Sequence, residues 1–132
     1  MKIALVSPAS LPATQFGGIM FLALDIARQL SAHGENTTIY TTDLDFANNP
    51  HTFNKNLPRE ENIEKFVIKR SHVILKFALY FVNPGMKKQM MNDNIEIIHT
   101  FGIRSYQSYI AALISKKRNI PLIISDQSGL TT

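Results

Sequence analysis

Residues 2–34, KIALVSPASLPATQFGGIMFLALDIARQLSAHG, decide the fold. Ile3, Ala4, Leu5 and Val6 are apolar without alternation, as expected of a parallel strand covered on both faces. After a loop carrying Gly17-Gly18, the apolar residues Ile19, Leu22, Ala23, Ile26, Ala27 and Leu30 recur at helical spacing. Gly34 stands where a left-handed C-cap belongs. Strand, glycine-bearing loop and helix make the first half of a βαβ unit. Ligands of open α/β sheets bind outside the carboxyl ends of the strands, so a binding crevice is expected at Gly17 and Gly18.

Working outward, strand-like runs begin near Lys2, Asn36, Ile63, Ile95 and Pro121, spaced by roughly 30 residues, the length of a βαβ repeat. NTTIYTT (36–42) is β-branched and reads as the second strand. DLDFANNPHTFNKNLPREEN (43–62) is rich in Asn, Pro and charge and reads as a long loop. IEKFVIKR (63–70) alternates in part and suits a strand nearer the edge. VILKFALYFVNPGMKKQMM (73–91) has helical spacing broken by Asn83-Pro84-Gly85, which predicts a short helix, a turn and a second short helix. The fourth strand is expected at IEIIH (95–99). A helix follows over 105–118, with Tyr106, Tyr109, Ile110 and Leu113 on one face. Its last turn holds Lys116, Lys117 and Arg118, where cations suit the helix dipole. The fifth strand is LIIS, ending at Asp126. Alternating strands and helices predict an α/β fold with one Rossmann-like, doubly wound parallel sheet.

The 132 residues suit a single domain with a real core, and 45% hydrophobic with 18% charged residues is a globular composition. Cysteine is absent, which excludes disulfides and cysteine-ligated metals and fits a reducing compartment. MKIALV is too short an apolar stretch for a signal peptide. The longest apolar run, Val73 to Val82, is interrupted by Lys76 and falls far short of the ~20 residues that span a bilayer. A cytoplasmic chain, peripheral to a membrane at most, is expected. The net charge of +4 is concentrated in the middle third. There Lys55, Arg59, Lys65, Lys69, Arg70, Lys76, Lys87 and Lys88 face only Glu60, Glu61 and Glu64. Such a patch suits phosphates, anionic lipid or nucleic acid, and equally a solvated face. No nucleic-acid recognition motif accompanies it.

The expected crevice collects few chemical groups. Gly17 and Gly18 at a helix start suit an anion through free N–H groups and the dipole, or simply form a tight strand-to-helix turn. The G-x-G-x-x-G spacing of dinucleotide folds is missing. Asp43 or Asp45 would be the ribose-binding acid of that alternative, and both read as surface acids in a polar loop. His99, at the end of the fourth strand, suits a general base or a hydroxyl partner, or a buried hydrogen-bonded histidine. Gly102 and Arg104 open the next helix, where Arg104 would reach a phosphate or stay on the surface. Asp126 and Gln127 follow the fifth strand toward the same crevice, with Ser128-Gly129 behind them. His33, His51, His72 and His99 form no metal-ligand or triad pattern in sequence.

KIALVSP, the long loop to FGGI and LSAHG before TTIYTTD resemble the opening of the retaining GT-B glycosyltransferases with a subfamily-four N-terminal domain. IEIIHTFGIRSYQSYIAALISKKRNIPLIISDQSGL (95–130) is similar to that family's fourth and fifth Rossmann strands and the helix between them. The resemblance implies half of a GT-B fold, the acceptor-side domain of an enzyme that moves a sugar from a nucleotide-sugar donor to a glycan or lipid-linked acceptor. Gly17 and Gly18 would approach the donor diphosphate. His99 matches the first histidine of the family's H-x-H-G pattern, Phe101 replaces the second, and Gly102 keeps the glycine. Asp126-Gln127-Ser128-Gly129 stands where the family often has histidine before glycine, so no catalytic residue is assigned beyond His99 and Asp126 as candidates. The donor is a co-substrate, and neither cofactor nor metal is implied. The expected partner is a C-terminal Rossmann domain, absent here, or another chain, which implies that these residues alone do not turn over substrate. Phe66, Phe77, Tyr80 and Phe81 among Lys69, Arg70, Lys76, Lys87 and Lys88 suit an anionic membrane surface or lipid-linked acceptor, and equally a core-facing helix with snorkelling lysines. The competing functional class is a non-catalytic ligand- or protein-binding domain acting through an open sheet edge.

Overall fold

A computed structural model of the chain describes residues 1–11, 18–45, 52–77, 80–102 and 105–125. Five parallel strands form its centre: β1 (Lys2–Val6), β2 (Asn36–Thr42), β6 (Phe66–Ser71), β9 (Ile97–Phe101) and β10 (Leu122–Ser125). An antiparallel edge strand, β5 (Glu60–Ile63), pairs with β6 across a turn at Glu64 and Lys65, where Glu64 has φ 54°. The sheet order is β10-β9-β1-β2-β6-β5. From β1 the chain builds outward through β2 to β6, then returns to lay β9 and β10 on the other side of β1. This is a Rossmann-like doubly wound α/β fold, and the order reverses between β1 and β9.

Two helix layers cover the sheet. The helix α1 (Gly18–Ala32) packs Met20, Ala23, Leu24 and Ala27 against Ile3, Leu5, Ile39, Ile68 and Phe101. Its end is a Schellman motif: Gly34, at φ 87°, donates to the Ser31 carbonyl at 3.0 Å, and Glu35 donates to Leu30 at 3.0 Å. On the other face, α2 (Gly85–Asn92) and α3 (Tyr106–Arg118) bury Met86, Met90, Ile110, Ala111 and Ile114 against Ala4, Val6, Tyr40 and Ile98. The buried stripe of α3 is Gln107, Ser108, Ile110, Ala111 and Ile114, which leaves Tyr109 exposed rather than on the packed face with Ile110. Asn119 closes α3 in the left-handed conformation at φ 57°. Under α2, Lys69 bonds Asp93 at 2.8 Å, and the Tyr40 hydroxyl also donates to that carboxylate. Burial works against the Asp93 charge, but the bonds from Lys69 and Tyr40 outweigh it and hold the carboxyl below its ordinary value. Among the described residues no helix is long and apolar enough to cross a membrane.

The carboxyl ends of β1, β2 and β6 meet a third, smaller cluster: Ala9, Leu44, Val73 and Phe81, with Phe53 packed edge-to-face on Phe81 at 5.1 Å. Two small structures supply it. The region expected as a loop contains the short pair β3 (Leu44–Asp45) and β4 (Thr52–Phe53). The segment expected as a helix over 73–82 is instead a hairpin, β7 (Leu75–Phe77) with β8 (Tyr80–Val82). Its strand geometry turns Phe81 inward and leaves Phe77 and Tyr80 exposed. Buried Asn83 fixes the hairpin by donating to the Thr41 carbonyl at 3.2 Å and Ser71 Oγ at 2.7 Å. Gln107 then donates to Asn83 Oδ1 at 2.7 Å and to the Phe81 carbonyl at 2.9 Å, tying the hairpin to α3. The expected second helix is present as α2, with Lys87 and Lys88 exposed.

Candidate functional site

The strand-order reversal puts the crevice of an open α/β sheet at the carboxyl ends of β1 and β9. Gly18 is the first residue of α1, exposed, and a side-chain carbon added there would meet nothing within 4 Å. No acidic residue stands in the first turn of α1, so its dipole end is not neutralised within the helix. Gly102 follows β9 directly at φ 85°, a left-handed turn that favours glycine, and its N–H donates to the Ser125 carbonyl at 2.7 Å. Ser105 caps α3, accepting from the Ser108 N–H at 3.1 Å. Ser108 in turn shares a hydrogen with Thr100 Oγ1 at 2.8 Å and donates to the Gly102 carbonyl. The turn after β9 is thus held by side chains that come from both its strand and its helix.

His99 differs from its expected place. The fourth strand runs from Ile97 to Phe101, two residues later than expected, so His99 is its central residue rather than its end. Its ring stacks on Phe101 at 4.4 Å, and Nε2 lies 2.7 Å from Ser125 Oγ on β10. Burial lowers the His99 imidazole from its ordinary value and keeps it neutral at pH 7. A folded-state value below the unfolded one gives stability that is complete above the unfolded value, near pH ~6.5, and is lost as pH falls through the folded value. The urea midpoint of the native chain is therefore expected to fall as pH drops below ~6.5. In His99→Gln that step is expected to disappear while the acid loss from Asp93, below pH ~4, remains. Equal pH profiles for the two proteins would contradict this.

Of the other expected residues, Gly17, Arg104, Asp126 and Gln127 lie outside the described residues. The described ones converge in part: Gly102 and His99 both bond Ser125, the residue before Asp126. Gly18 opens the helix packed on the same face as Leu5 and Phe101. Among the described residues, no three His, Asp or Glu side chains gather as metal ligands.

One constellation was not expected. Asp43 and Asp45, read as surface acids, are only 4% and 5% exposed. Asp43 directly follows β2 and His72 directly follows β6, and the last residues of those strands, Thr42 and Ser71, are register partners. Asp43 Oδ2 lies 2.5 Å from His72 Nδ1, and Oδ1 accepts from the Val73 N–H at 3.1 Å. Beside them Arg70, 2% exposed, donates to the Leu11 carbonyl at 2.7 Å and the Pro58 carbonyl at 2.9 Å and pairs with Glu61 at 2.8 Å. The available signal was positional: each residue stands just past a strand, at the rim where α/β sheets carry function. Compared with known proteins, the chain matches no family model and no curated protein.

Proposed function

We propose that the chain is the acceptor-side domain of a retaining GT-B-type glycosyltransferase, holding the molecule that receives a sugar from a nucleotide-sugar donor. The observation that carries this reading is the reversal of strand order between β1 and β9, with the start of α1 at Gly18 and the glycine turn at Gly102 beside it. To this the FGGI loop and the IEIIHTFG segment add the resemblance. In the proposed reaction the amino end of α1 faces the donor diphosphate, as unpaired N–H groups and the dipole favour. Neutral His99, oriented by Ser125, acts as a hydrogen-bond partner for a hydroxyl. A second Rossmann domain, on this or another chain, grips the donor. Peripheral contact at a cytoplasmic membrane surface belongs to the same proposal. Phe77 and Tyr80 beside Lys76 are available for it, whereas Phe66 and Phe81 are buried in the core.

The test is sugar transfer from a panel of radiolabelled nucleotide sugars, with and without a donor-binding Rossmann domain joined to the 132 residues. The expected result is transfer only in the joined protein. Ordinary turnover by these residues alone, or none in either form, would overturn the proposal. A second reading has its own observation: Ile123 and Ile124 on the outermost parallel strand are 46% and 52% exposed. In that reading the domain is non-catalytic and binds a partner by extending the sheet beyond β10. A partner complex disrupted by Ile124→Lys, with no transfer by the joined protein, would favour it.

A further inference from the structure

The geometry points to an aromatic platform for a saccharide, made by Tyr80, Tyr106 and Tyr109; its role as the seat of the acceptor's glycan rests on the acceptor-side reading. Tyr80 lies on β8 and Tyr106 opens α3, and their rings meet edge to face at 6.2 Å. Tyr109, one helical turn on, is tilted against Tyr106 at 6.5 Å. Tyr80 and Tyr109 are 37% and 59% exposed and Tyr106 is half-buried, so the cluster is open to a ligand. The residues that follow Tyr80 and Tyr106 fix it in place. Phe81 and Gln107 are both buried, and the Gln107 carboxamide donates to the Phe81 carbonyl at 2.9 Å. Strand and helix therefore present their tyrosines at a set spacing. Ser105 caps α3 three residues beyond the Gly102 turn, so the platform continues the rim on which the crevice lies.

The chemistry of the cluster selects its ligand. Register partners of an antiparallel pair share a face, so Phe77 lies on the face of Tyr80 and Lys76 on that of buried Phe81. The first turn of α3 holds no acidic residue, and the basic residues of that helix stand in its last turn. The platform is therefore neutral, which favours an uncharged ligand over an anionic lipid surface or a nucleic acid. The three tyrosine hydroxyls make no hydrogen bond among the described residues, and each can both donate and accept. Burial raises the Tyr106 phenol above its ordinary value, the neighbouring phenols of Tyr80 and Tyr109 add to the shift, and the hydroxyl keeps its proton at neutral pH. Apolar ring faces bordered by free hydroxyls match a sugar ring, whose C–H face packs on aromatic carbon while its own hydroxyls bond at the edge. A purely hydrocarbon ligand would leave the phenol hydroxyls without partners. Three rings in place of one suit an oligosaccharide better than a single sugar.

The chain has no tryptophan and four tyrosines, and the fourth, Tyr40, is fully buried. Tyrosine emission therefore reads the platform directly. The test is titration of the 132-residue chain with maltotetraose, chitotetraose and mannotetraose, followed by tyrosine emission and by calorimetry. A saturable change in emission is expected with at least one of them, and tighter binding than for the matching monosaccharide. Tyr109→Ala removes an exposed ring, so the thermal midpoint should hold while binding weakens about tenfold, the order of effect that one stacked ring supplies. Tyr109→Phe, which keeps the ring and loses the hydroxyl, should fall between. Ile74→Ala, which removes exposed apolar surface just before β7, is expected to leave binding unchanged. Saccharide binding through Tyr109, with no sugar transfer by the joined protein, would uphold the platform and remove the enzyme reading. Failure of all three tetrasaccharides to bind, or binding by Tyr109→Ala as tight as that of the native chain, would overturn the platform. So would a need for Tyr109 only in binding to phosphatidylglycerol vesicles.

Discussion

Arg70→Met is expected to lower the stability of the chain by about 3 kcal/mol, mostly through buried hydrogen-bonding groups left without a partner. In a domain of this size that is a fall of roughly 10 °C in the thermal midpoint. One guanidinium holds three separate points of the chain. It reaches the Leu11 carbonyl after β1, the Pro58 carbonyl before β5 and the Glu61 carboxylate on β5, all from a side chain 2% exposed. Methionine fills similar volume but offers no donor, so the two carbonyls lose their bonds and the segments they belong to lose an anchor. The Glu61 partner is half-exposed and rehydrates, which is why the loss stays near the lower end for a broken buried pair. Arg70→Lys, which keeps the charge but not the planar fork, should fall between. Urea unfolding followed by circular dichroism measures the series. A midpoint for Arg70→Met equal to the native one would mean that Arg70 does not organise this end of the sheet.

The largest functional effect is expected at Gly18, where fold and ligand make opposite demands. A carbon added there meets nothing within 4 Å, and alanine is a better helix former than glycine. Gly18→Ala should therefore leave the thermal midpoint unchanged or slightly higher. If the amino end of α1 faces a ligand, the same added atoms occupy ligand space and displace it from the N–H groups. Gly18→Leu is then expected to weaken ligand binding at the crevice at least tenfold, the equivalent of ~1.4 kcal/mol, with stability retained. A Gly18→Leu protein that binds as well as the native chain would remove this helix end from the site.

Much of the fold was legible because its main signals are local. The unbroken apolar run of β1, the helical spacing of α1 and the position of Gly34 each report on a few neighbouring residues, and all three hold in the structure. The hairpin over 75–82 was not legible. Strands of three residues are too short to display a period of two, and VILKFALYFV fits helical spacing by accident. What makes it a hairpin is distant: Phe53 under Phe81, and Gln107 of α3 on the Phe81 carbonyl. The shift of the fourth strand has the same origin. Glu96 is engaged with Lys2, its N–H on the Lys2 carbonyl at 2.9 Å and its carboxylate on the Lys2 N–H at 2.7 Å, and the strand starts at the next residue. The Asp43–His72 pair is the clearest case. Its members are 29 positions apart and meet only because Thr42 and Ser71 are register partners, a fact of sheet pairing that no local pattern contains.

Under the proposed function, the rim between β1 and β9 holds the sugar-accepting molecule. Amide NMR of the native chain titrated with a panel of monosaccharides and short glycans tests it most directly. Saturable shifts are expected, concentrated at Ser7, Gly18, His99, Gly102 and Ser125, with the β5 edge and the last turn of α3 unmoved. Shifts confined to β5 or to the far end of α3, or a panel that moves no amide on the β1–β9 rim, would contradict it.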